Sequence, residues 1–220
     1  MQRERINNGE GNATVLVGSS RTMSNVALQV WERLEGKRPL VILGFLARRK
    51  GYDVALRALR ELPPEYVLVA AGGEHAADRT GTEAWLRAEA ERAGVADRLR
   101  ITGYLPAERL EQAAALAEIV LAPFTSMSAS ASLHYALARG KAILASDLPE
   151  NRSLDCVALV PPGEAEALAQ AIRRLGAAPG ERSRLEGAAR GYARSHSFAA
   201  LAADTLAIYR HLAEESGSKR

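Results

Sequence analysis

Short, nearly continuous apolar runs alternate along the chain with stretches in which apolar residues recur at helical spacing. The apolar runs span residues 14–17, 40–43, 66–70, 99–102, 119–121, 142–145 and 157–160. Runs of this length, rich in valine, isoleucine and leucine, predict strands that are covered on both faces, as in a parallel sheet.

Helical patterns fill the intervals between these runs. Leu168, Ala169, Ile172 and Leu175, for example, share one face of a helix. The spacing predicts helices over residues 51–62, 80–93, 107–116, 130–139, 164–175, 181–194 and 198–213. Strands and helices in this order predict right-handed crossovers and an α/β fold with a doubly wound, Rossmann-like parallel sheet.

Composition and charge exclude several functions. The chain is 47% hydrophobic and 25% charged with a net charge of +3, which is typical of a globular protein. Aromatic residues make up only 5%, so the basic residues lack the interleaved stacking groups of a nucleic-acid surface. No apolar stretch approaches the length of a membrane span, and residues 1–11 do not read as a signal peptide.

Cysteine and histidine usage narrows the chemistry further. Cys156 is the single cysteine and cannot form an internal disulfide, and the four histidines follow no metal-ligand spacing. The sequence also lacks a phosphate-binding Gly-x-x-x-x-Gly-Lys loop, a Gly-x-Ser-x-Gly elbow and a His-Glu-x-x-His motif. We therefore expect a cytoplasmic protein with neither a metal nor a cofactor.

Ligands of doubly wound sheets bind beyond the carboxyl ends of the strands, where helix N-termini direct amide groups at them. The loop at 44–51 follows a predicted strand and contains Gly44, Arg48, Arg49 and Lys50. A tight glycine turn with adjacent cations beside a helix N-terminus suits a diphosphate, although a solvated basic turn has the same composition.

Two further loops carry candidate binding groups. Gly72 and Gly73 follow the next predicted strand and allow backbone to approach a ligand closely, or simply form a turn. Serines alternate through the loop before the helix at 130–139, at Ser126, Ser128, Ser130 and Ser132. One of them is expected to cap that helix, and the others could donate hydrogen bonds to phosphate.

Several stretches, taken in order, resemble the C-terminal domain of retaining family 4 glycosyltransferases, which adopt the GT-B fold. They are residues 43–53, 69–73, 96–106, 120–123, 136–147, 159–163 and 167–169. The resemblance covers about residues 40–213 and implies one Rossmann-like half of such an enzyme, the half that binds the nucleotide-sugar donor. It implies donor-site roles for the loops that contain Gly72, Gly73, Gly103, Tyr104 and the serines.

The chain departs from the family pattern at three positions that bear on function. Phe45 stands where the family has an arginine, whereas the lysine of that loop is kept as Lys50. Met127 and Tyr135 stand where the family has two glutamates, one for the transferred sugar and one for the ribose. A hydrogen bond to a charged group contributes about 1.5–3 kcal/mol, so the loss of three such contacts would remove most of the binding free energy of a micromolar donor complex. The resemblance therefore implies a degenerate site.

We expect three segments along the chain. Residues 39–213 would form the donor-binding domain, and residues 214–220 a polar tail. Residues 1–38 would be a remnant of the acceptor domain, with a strand and a helix at 14–35. The acceptor domain proper would be missing, and the reaction of this family occurs between the two domains.

Two interpretations of function remain open. In the first, the chain binds a nucleotide sugar and transfers the sugar only when a second polypeptide supplies the acceptor domain. In the second, it is a non-catalytic descendant that acts as a binding or interaction module. An unrelated Rossmann-type enzyme is a weaker third, because the nucleotide fingerprint of that class is missing.

The missing domain also predicts an exposed apolar patch. The loops that face it would present Phe45, Tyr104, Leu105 and Met127. The last helix would add Leu201, Leu206 and Ile208. Large apolar patches usually mark interfaces, so we expect a homodimer or a complex with a second chain, unless residues 14–35 cover the patch.

Overall fold

A computed structural model of the chain describes residues 34–74, 81–126 and 130–217, with side chains in the last helix described through residue 211. The strands are β1 (Arg38–Leu43), β2 (Tyr66–Ala71), β3 (Leu99–Ile101), β4 (Ile119–Ala122), β5 (Ile143–Ser146) and β6 (Ala158–Val160). They form one parallel sheet of six strands in the order β3-β2-β1-β4-β5-β6. The predicted doubly wound parallel sheet is therefore confirmed.

Seven α-helices lie in the described residues. They are α1 (Tyr52–Arg60), α2 (Thr82–Arg92), α3 (Ala107–Leu116), α4 (Ala131–Ala138), α5 (Ala165–Ala177), α6 (Pro179–Ser195) and α7 (Phe198–Gly217). Each lies where the apolar spacing predicted a helix, with ends displaced by a few residues. The predicted strand at 14–17, like most of the predicted remnant at 1–38, falls outside the described residues.

The sheet is buried on both faces because side chains of each strand alternate between two apolar clusters. One cluster packs α1, α2 and α5 on the sheet and contains Leu40, Ile42 and Leu68. The other packs α3, α4 and α6 and contains Val41, Leu43 and Val69. Neighbouring residues of β1 and β2 are therefore buried on opposite faces of the sheet, which explains why these strands appear in the sequence as continuous apolar runs.

An ion-pair network joins the amino ends of the central strands to the C-terminal helices. Glu118 accepts hydrogen bonds from Arg38 Nε at 2.8 Å and from Arg182 Nη1 at 3.0 Å. The Arg38 guanidinium also lies 4.3 Å from the ring centroid of Tyr66 and donates to the carbonyl of Gly176. This network holds α5 and α6 at the edge of the sheet opposite the predicted ligand loops.

No helix within the described ranges is both long enough and apolar enough to cross a membrane.

Candidate functional site

The order of the strands reverses between β1 and β4, which are hydrogen-bonded neighbours at the centre of the sheet. The loop after β1 leads to α1 on one face, and the loop after β4 leads to α4 on the other. Loops that diverge in this way open a crevice at the carboxyl edge of the sheet, the usual ligand position of doubly wound folds. The candidate site lies at this crevice.

Backbone contacts hold these two loops against each other. The amide of Thr125 donates to the carbonyl of Arg49 at 2.9 Å. A Cβ on Gly51 would lie 1.9 Å from the carbonyl oxygen of Pro123, and Gly51 has a φ of +70°. Only glycine fits this close approach, so the loop geometry is built into the sequence.

Lys50 is the central side chain of the crevice. It is only 7% exposed, and its Nζ donates a hydrogen bond to the carbonyl oxygen of Leu43. Burial and the neighbouring Arg49 lower the pKa of Lys50 to about 8. Within residues 34–74, 81–126 and 130–217, no carboxylate forms an ion pair with this ammonium group.

Gly44 separates Lys50 from the N-terminal turn of α4. A Cβ on Gly44 would lie 2.9 Å from Lys50 Nζ and 3.4 Å from Ser132 Cβ. Ser130 caps α4, accepting a hydrogen bond from the amide of Leu133 at 3.1 Å, and its Oγ lies 3.1 Å from Ser132 Oγ. A buried ammonium, two hydroxyls and a helix N-terminus therefore converge around one glycine.

The other two cations of the basic loop do not join Lys50. Arg48 and Arg49 are exposed. The guanidinium of Arg48 lies 5.0 Å from the ring centroid of Trp85 on α2. The structure thus brings only one of the three predicted phosphate-binding cations to the centre of the crevice, and leaves Arg48 and Arg49 at its rim.

The two glycines after β2 form the adjoining wall. A Cβ on Gly72 would lie 2.3 Å from the carbonyl oxygen of Gly44, and one on Gly73 would lie 2.8 Å from the amide nitrogen of Tyr104. The amide of Gly72 donates to the buried hydroxyl of Thr102 at 3.0 Å. These glycines allow three loops to meet without side chains between them.

Thr102 was missed as a site residue from the sequence. It ends the apolar run at 99–102, and its hydroxyl also donates to the carbonyl of Gly103 at 2.8 Å. The only signal was a hydroxyl residue at the carboxyl end of a predicted strand, which is common in loops of every kind.

The predicted apolar patch is only partly correct. Phe45 and Tyr104 are 46% and 73% exposed at the rim of the crevice. Leu105, by contrast, is 7% exposed and belongs to the core cluster beneath α3. Its inclusion in an exposed patch was wrong, because the turn after β3 directs this side chain inward to cover the sheet.

The remaining predicted site residues are Ser126, Met127, Ser128, Gly103 and Tyr135. Ser126 is exposed at the end of the loop after β4, while Met127 and Ser128 lie outside the described residues. Gly103 has a φ of +68°, with open space where a Cβ would point. The ring of Tyr135 lies 4.2 Å from the guanidinium carbon of Arg139, and its buried hydroxyl has no hydrogen-bond partner among the residues that the structure describes.

A second groove lies between α1, α2 and α5. Its arginines are largely paired within it, such as Arg57 with Asp53 at 3.4 Å and Arg92 with Glu89 at 2.7 Å. Since its charges already compensate each other, this groove attracts an anion less than the crevice around Lys50. No group of residues suited to holding a metal ion occurs in the part of the chain that the structure describes.

Comparison with known proteins adds independent information. The family model described as "Glycosyl transferases group 1" matches residues 37–177. The fold is similar to that of sucrose-phosphate synthase from Thermosynechococcus elongatus, with 22% identity and a TM-score of 0.72 over 87% of this chain and 49% of that chain. It is also similar to HepE from Anabaena in complex with UDP, with 20% identity and a TM-score of 0.68 over 87% and 51%.

A third similar structure is itself a single domain. It is the C-terminal domain of LpcC, a glycosyl transferase group 1 family protein from Francisella tularensis. That structure is 17% identical, with a TM-score of 0.63 over 79% of this chain and 94% of the domain. No curated protein matches the chain at a significant level.

The chain spans about half the length of the first two structures and nearly all of the isolated C-terminal domain. At sequence identities this low, the similarity to these structures shows the fold alone. It confirms the predicted Rossmann-like fold, which corresponds to one half of a GT-B protein. The family model covers more than half of the residues. The chain therefore belongs to the family of group 1 glycosyl transferases.

Proposed function

We propose that this chain is the donor-binding half of a family 4-like glycosyltransferase and holds the diphosphate of a nucleotide sugar in the crevice around Lys50. Sugar transfer requires a second polypeptide that supplies the acceptor domain. The observation that carries this proposal is the buried ammonium group of Lys50, which lies at the carboxyl edge of the sheet without a carboxylate in the described ranges.

Burying a cation without a counter-ion destabilises the folded chain. The pKa of Lys50 is lowered to about 8 because burial disfavours its protonated form. An anion bound beside Lys50 would remove much of the cost, because an opposite charge favours the protonated amine. A position that is unfavourable in the free protein and favourable in a complex is typical of a binding residue.

The groups around Lys50 favour a diphosphate over a single carboxylate. The first amides of α4 have no acceptor within the helix and direct a partial positive charge at the crevice. Ser132 Oγ adds a hydroxyl close to Gly44. Several donors spread over two loops match the many acceptor oxygens of a diphosphate. The UDP complex of the similar Anabaena protein supports the same ligand class.

The size of the match supports the need for a second wall beyond the residues described here. This chain spans 49% of sucrose-phosphate synthase and 51% of HepE. Reaction in a cleft between two domains needs both walls, and the residues described here provide one of them. We therefore expect the purified chain to bind UDP or a UDP-sugar and to show no sugar transfer to simple acceptors.

Titration calorimetry with UDP and with pyrophosphate tests the binding. Lys50→Met should weaken UDP by about 10- to 100-fold, the equivalent of one hydrogen bond to a charged group. Lys141→Met is the matched control, because burial also lowers the pKa of Lys141, whose Nζ donates to the Ala115 carbonyl far from the crevice. The control should bind UDP like the wild type.

The same titration has a pH signature. UDP binding should be tightest below pH 8 and should weaken as the pH rises through 8. Above that pH the free protein has lost the Lys50 proton, so binding must be accompanied by uptake of a proton from solvent. Equal UDP affinity in the wild type and in Lys50→Met at pH 7 would contradict the proposal.

The non-catalytic alternative rests on Phe45. This aromatic side chain lies at the rim of the crevice, 46% exposed, where the family pattern has an arginine. A rim of this kind suits an apolar ligand or a protein segment better than a second phosphate contact. No detectable binding of UDP, UDP-sugars or pyrophosphate by a folded wild-type chain would favour this alternative.

A further inference from the structure

Thr102 is a buried threonine directly after β3, at the carboxyl edge of the sheet. The residue is only 3% exposed, so its hydroxyl is shielded from a ligand in the crevice. The hydroxyl is committed to backbone groups instead: it accepts a hydrogen bond from the amide of Gly72 at 3.0 Å and donates to the carbonyl of Gly103 at 2.8 Å. A buried hydroxyl that accepts from one loop and donates to another fixes the two loops relative to each other.

The amide of Gly72 depends on this hydroxyl for its position relative to β3. The amide also donates to the carbonyl of Ala70 at 3.2 Å, but Ala70 lies in the same strand, β2, and cannot tie the loop to β3. Gly72 has a φ of +154°, and a Cβ there would lie 2.3 Å from the carbonyl oxygen of Gly44. The hydroxyl therefore holds a glycine whose backbone is in direct contact with the loop after β1.

Two further hydrogen bonds attach the loop after β1 to this glycine loop. The amide of Gly44 donates to the carbonyl of Ala71 at 2.9 Å, on one side of Gly72. The amide of Leu46 donates to the carbonyl of Gly73, also at 2.9 Å, on the other side. Because the attachment points flank Gly72, a displacement of Gly72 would be passed on to residues 44–46.

The ammonium group of Lys50 rests on those residues. Its Nζ lies 2.9 Å from the position of a Cβ on Gly44 and donates to the carbonyl of Leu43. A continuous series of contacts thus leads from the Thr102 hydroxyl through Gly72 and Gly44 to the ammonium group. Each contact in the series is made by backbone or by a buried side chain, so there is little room for one loop to move alone.

We infer that Thr102 is a positioning residue of the crevice, whose hydroxyl holds the glycine loop after β2 so that Lys50 Nζ stays in place above Gly44. The inference rests on the proposed binding of a diphosphate at Lys50. Without the hydroxyl, the loops after β1, β2 and β3 would separate, and water would reach the ammonium group. Thr102 would affect the ligand only through Lys50 and would not touch it.

Thr102→Val tests the inference, because valine keeps the branched shape of threonine and removes the hydroxyl. UDP affinity in titration calorimetry should fall by about 3- to 10-fold, a part of the loss expected for Lys50→Met. Thr102→Ser restores the hydroxyl and should retain most of the affinity. Ile101→Val is the matched control in β3, since it trims a buried neighbour. It should lower the melting temperature and bind UDP like the wild type.

The pKa of Lys50 separates positioning from a general loss of stability. Burial lowers this pKa to about 8, and Arg49 is the neighbouring charge that lowers it further. If the loops separate in Thr102→Val, hydration of the ammonium group should raise the pKa of Lys50 toward its ordinary value of 10.5. The pH above which UDP affinity falls should then move upward in this variant. It should stay near 8 in Thr102→Ser and in Ile101→Val, because neither removes the hydroxyl.

Side-chain NMR of Lys50 in the free protein measures the same pKa without a ligand, which keeps this inference distinguishable from the proposed function. A wild type that binds no UDP would end the proposed function, and the pKa comparison would still decide the role of Thr102. An unchanged Lys50 pKa in Thr102→Val, or wild-type UDP affinity in that variant alongside a weakened Lys50→Met, would overturn the inference. If Thr102→Val does not fold, Thr102→Ala takes its place with the same expected results. Free hydrogen exchange of the Gly72 amide in the wild type would overturn the inference in either case.

Discussion

The ammonium nitrogen of Lys50 lies over Gly44, 2.9 Å from the point that a Cβ on that glycine would occupy. The absence of a side chain at residue 44 is thus what allows the buried lysine to enter the crevice. Gly44 has a φ of +86°, which also disfavours any other residue.

Gly44→Ala should therefore weaken UDP binding by displacing the Lys50 ammonium group, by about 3- to 10-fold if half of the lysine's contribution to the binding free energy is lost. Gly94→Ala is the control, because Gly94 has a φ of +69° with open space around the missing Cβ, remote from the crevice. Both variants should lower the melting temperature by a similar amount, because both place alanine at a positive φ. Titration calorimetry should show a loss of UDP affinity in Gly44→Ala alone. Equal UDP affinity in the two variants would contradict this account of Gly44.

The lowered pKa of Lys50 also predicts how stability depends on pH. The folded chain releases this proton near pH 8, whereas the unfolded chain holds it to the ordinary lysine value of 10.5. Between those two pH values the unfolded state binds more protons than the folded state. The contribution of Lys50 to the free energy of unfolding therefore increases as the pH rises. Denaturant unfolding at pH 7 and pH 9 should show the wild type gaining stability relative to Lys50→Met. Parallel pH profiles for the two proteins would show that Lys50 is not buried as described.

The close approach at Gly51 predicts a large effect on stability. A Cβ there would overlap the Pro123 carbonyl, 1.9 Å away, and separate the two loops of the crevice. Gly51→Ala should lose about 3 kcal/mol or more, combining backbone strain with overpacking. Gly163→Ala isolates the strain alone, at about 1–2 kcal/mol, because Gly163 has a φ of +80° and an open Cβ position. Equal losses in denaturant unfolding would refute the proposed steric contact.

Restoring the family's three charged groups tests whether the crevice keeps its ancestral geometry. The variant combines Phe45→Arg, Met127→Glu and Tyr135→Glu. If the site still accepts a nucleotide sugar, UDP-glucose affinity should rise by about tenfold or more, since each regained contact contributes about 1.5–3 kcal/mol before non-additivity. Calorimetry on a variant with an unchanged circular dichroism spectrum provides the measurement. No gain in such a variant would favour the non-catalytic interpretation.

The fold could be predicted from local patterns because both faces of the sheet are covered. The strands are mainly apolar, and the helices that pack on the sheet carry one apolar face, so strand–helix alternation is visible in the sequence. The serine cap of α4 was predictable in the same way, and the structure identifies it as Ser130.

The arrangement of the site depends on distances that sequence order does not contain. Arg48, Arg49 and Lys50 are adjacent in sequence, yet only Lys50 turns into the crevice, because the short helical turn at 48–50 points successive side chains in different directions. Leu105 was assigned to the surface from its loop position, whereas tertiary packing buries it. The contact of Gly72 with Gly44 joins loops from two strands and has no local signature.

Amide chemical shifts on addition of UDP test the central claim most directly. UDP should shift the backbone signals of Gly44, Gly72, Gly73 and Ser132 in a saturable manner, and Lys50→Met should require about 10- to 100-fold more UDP to reach the same shifts. Signals on the groove between α1, α2 and α5, such as those of Glu89 and Arg173, should stay in place. Shifts confined to that groove, or no shifts at millimolar UDP, would contradict the assignment of the donor site to Lys50.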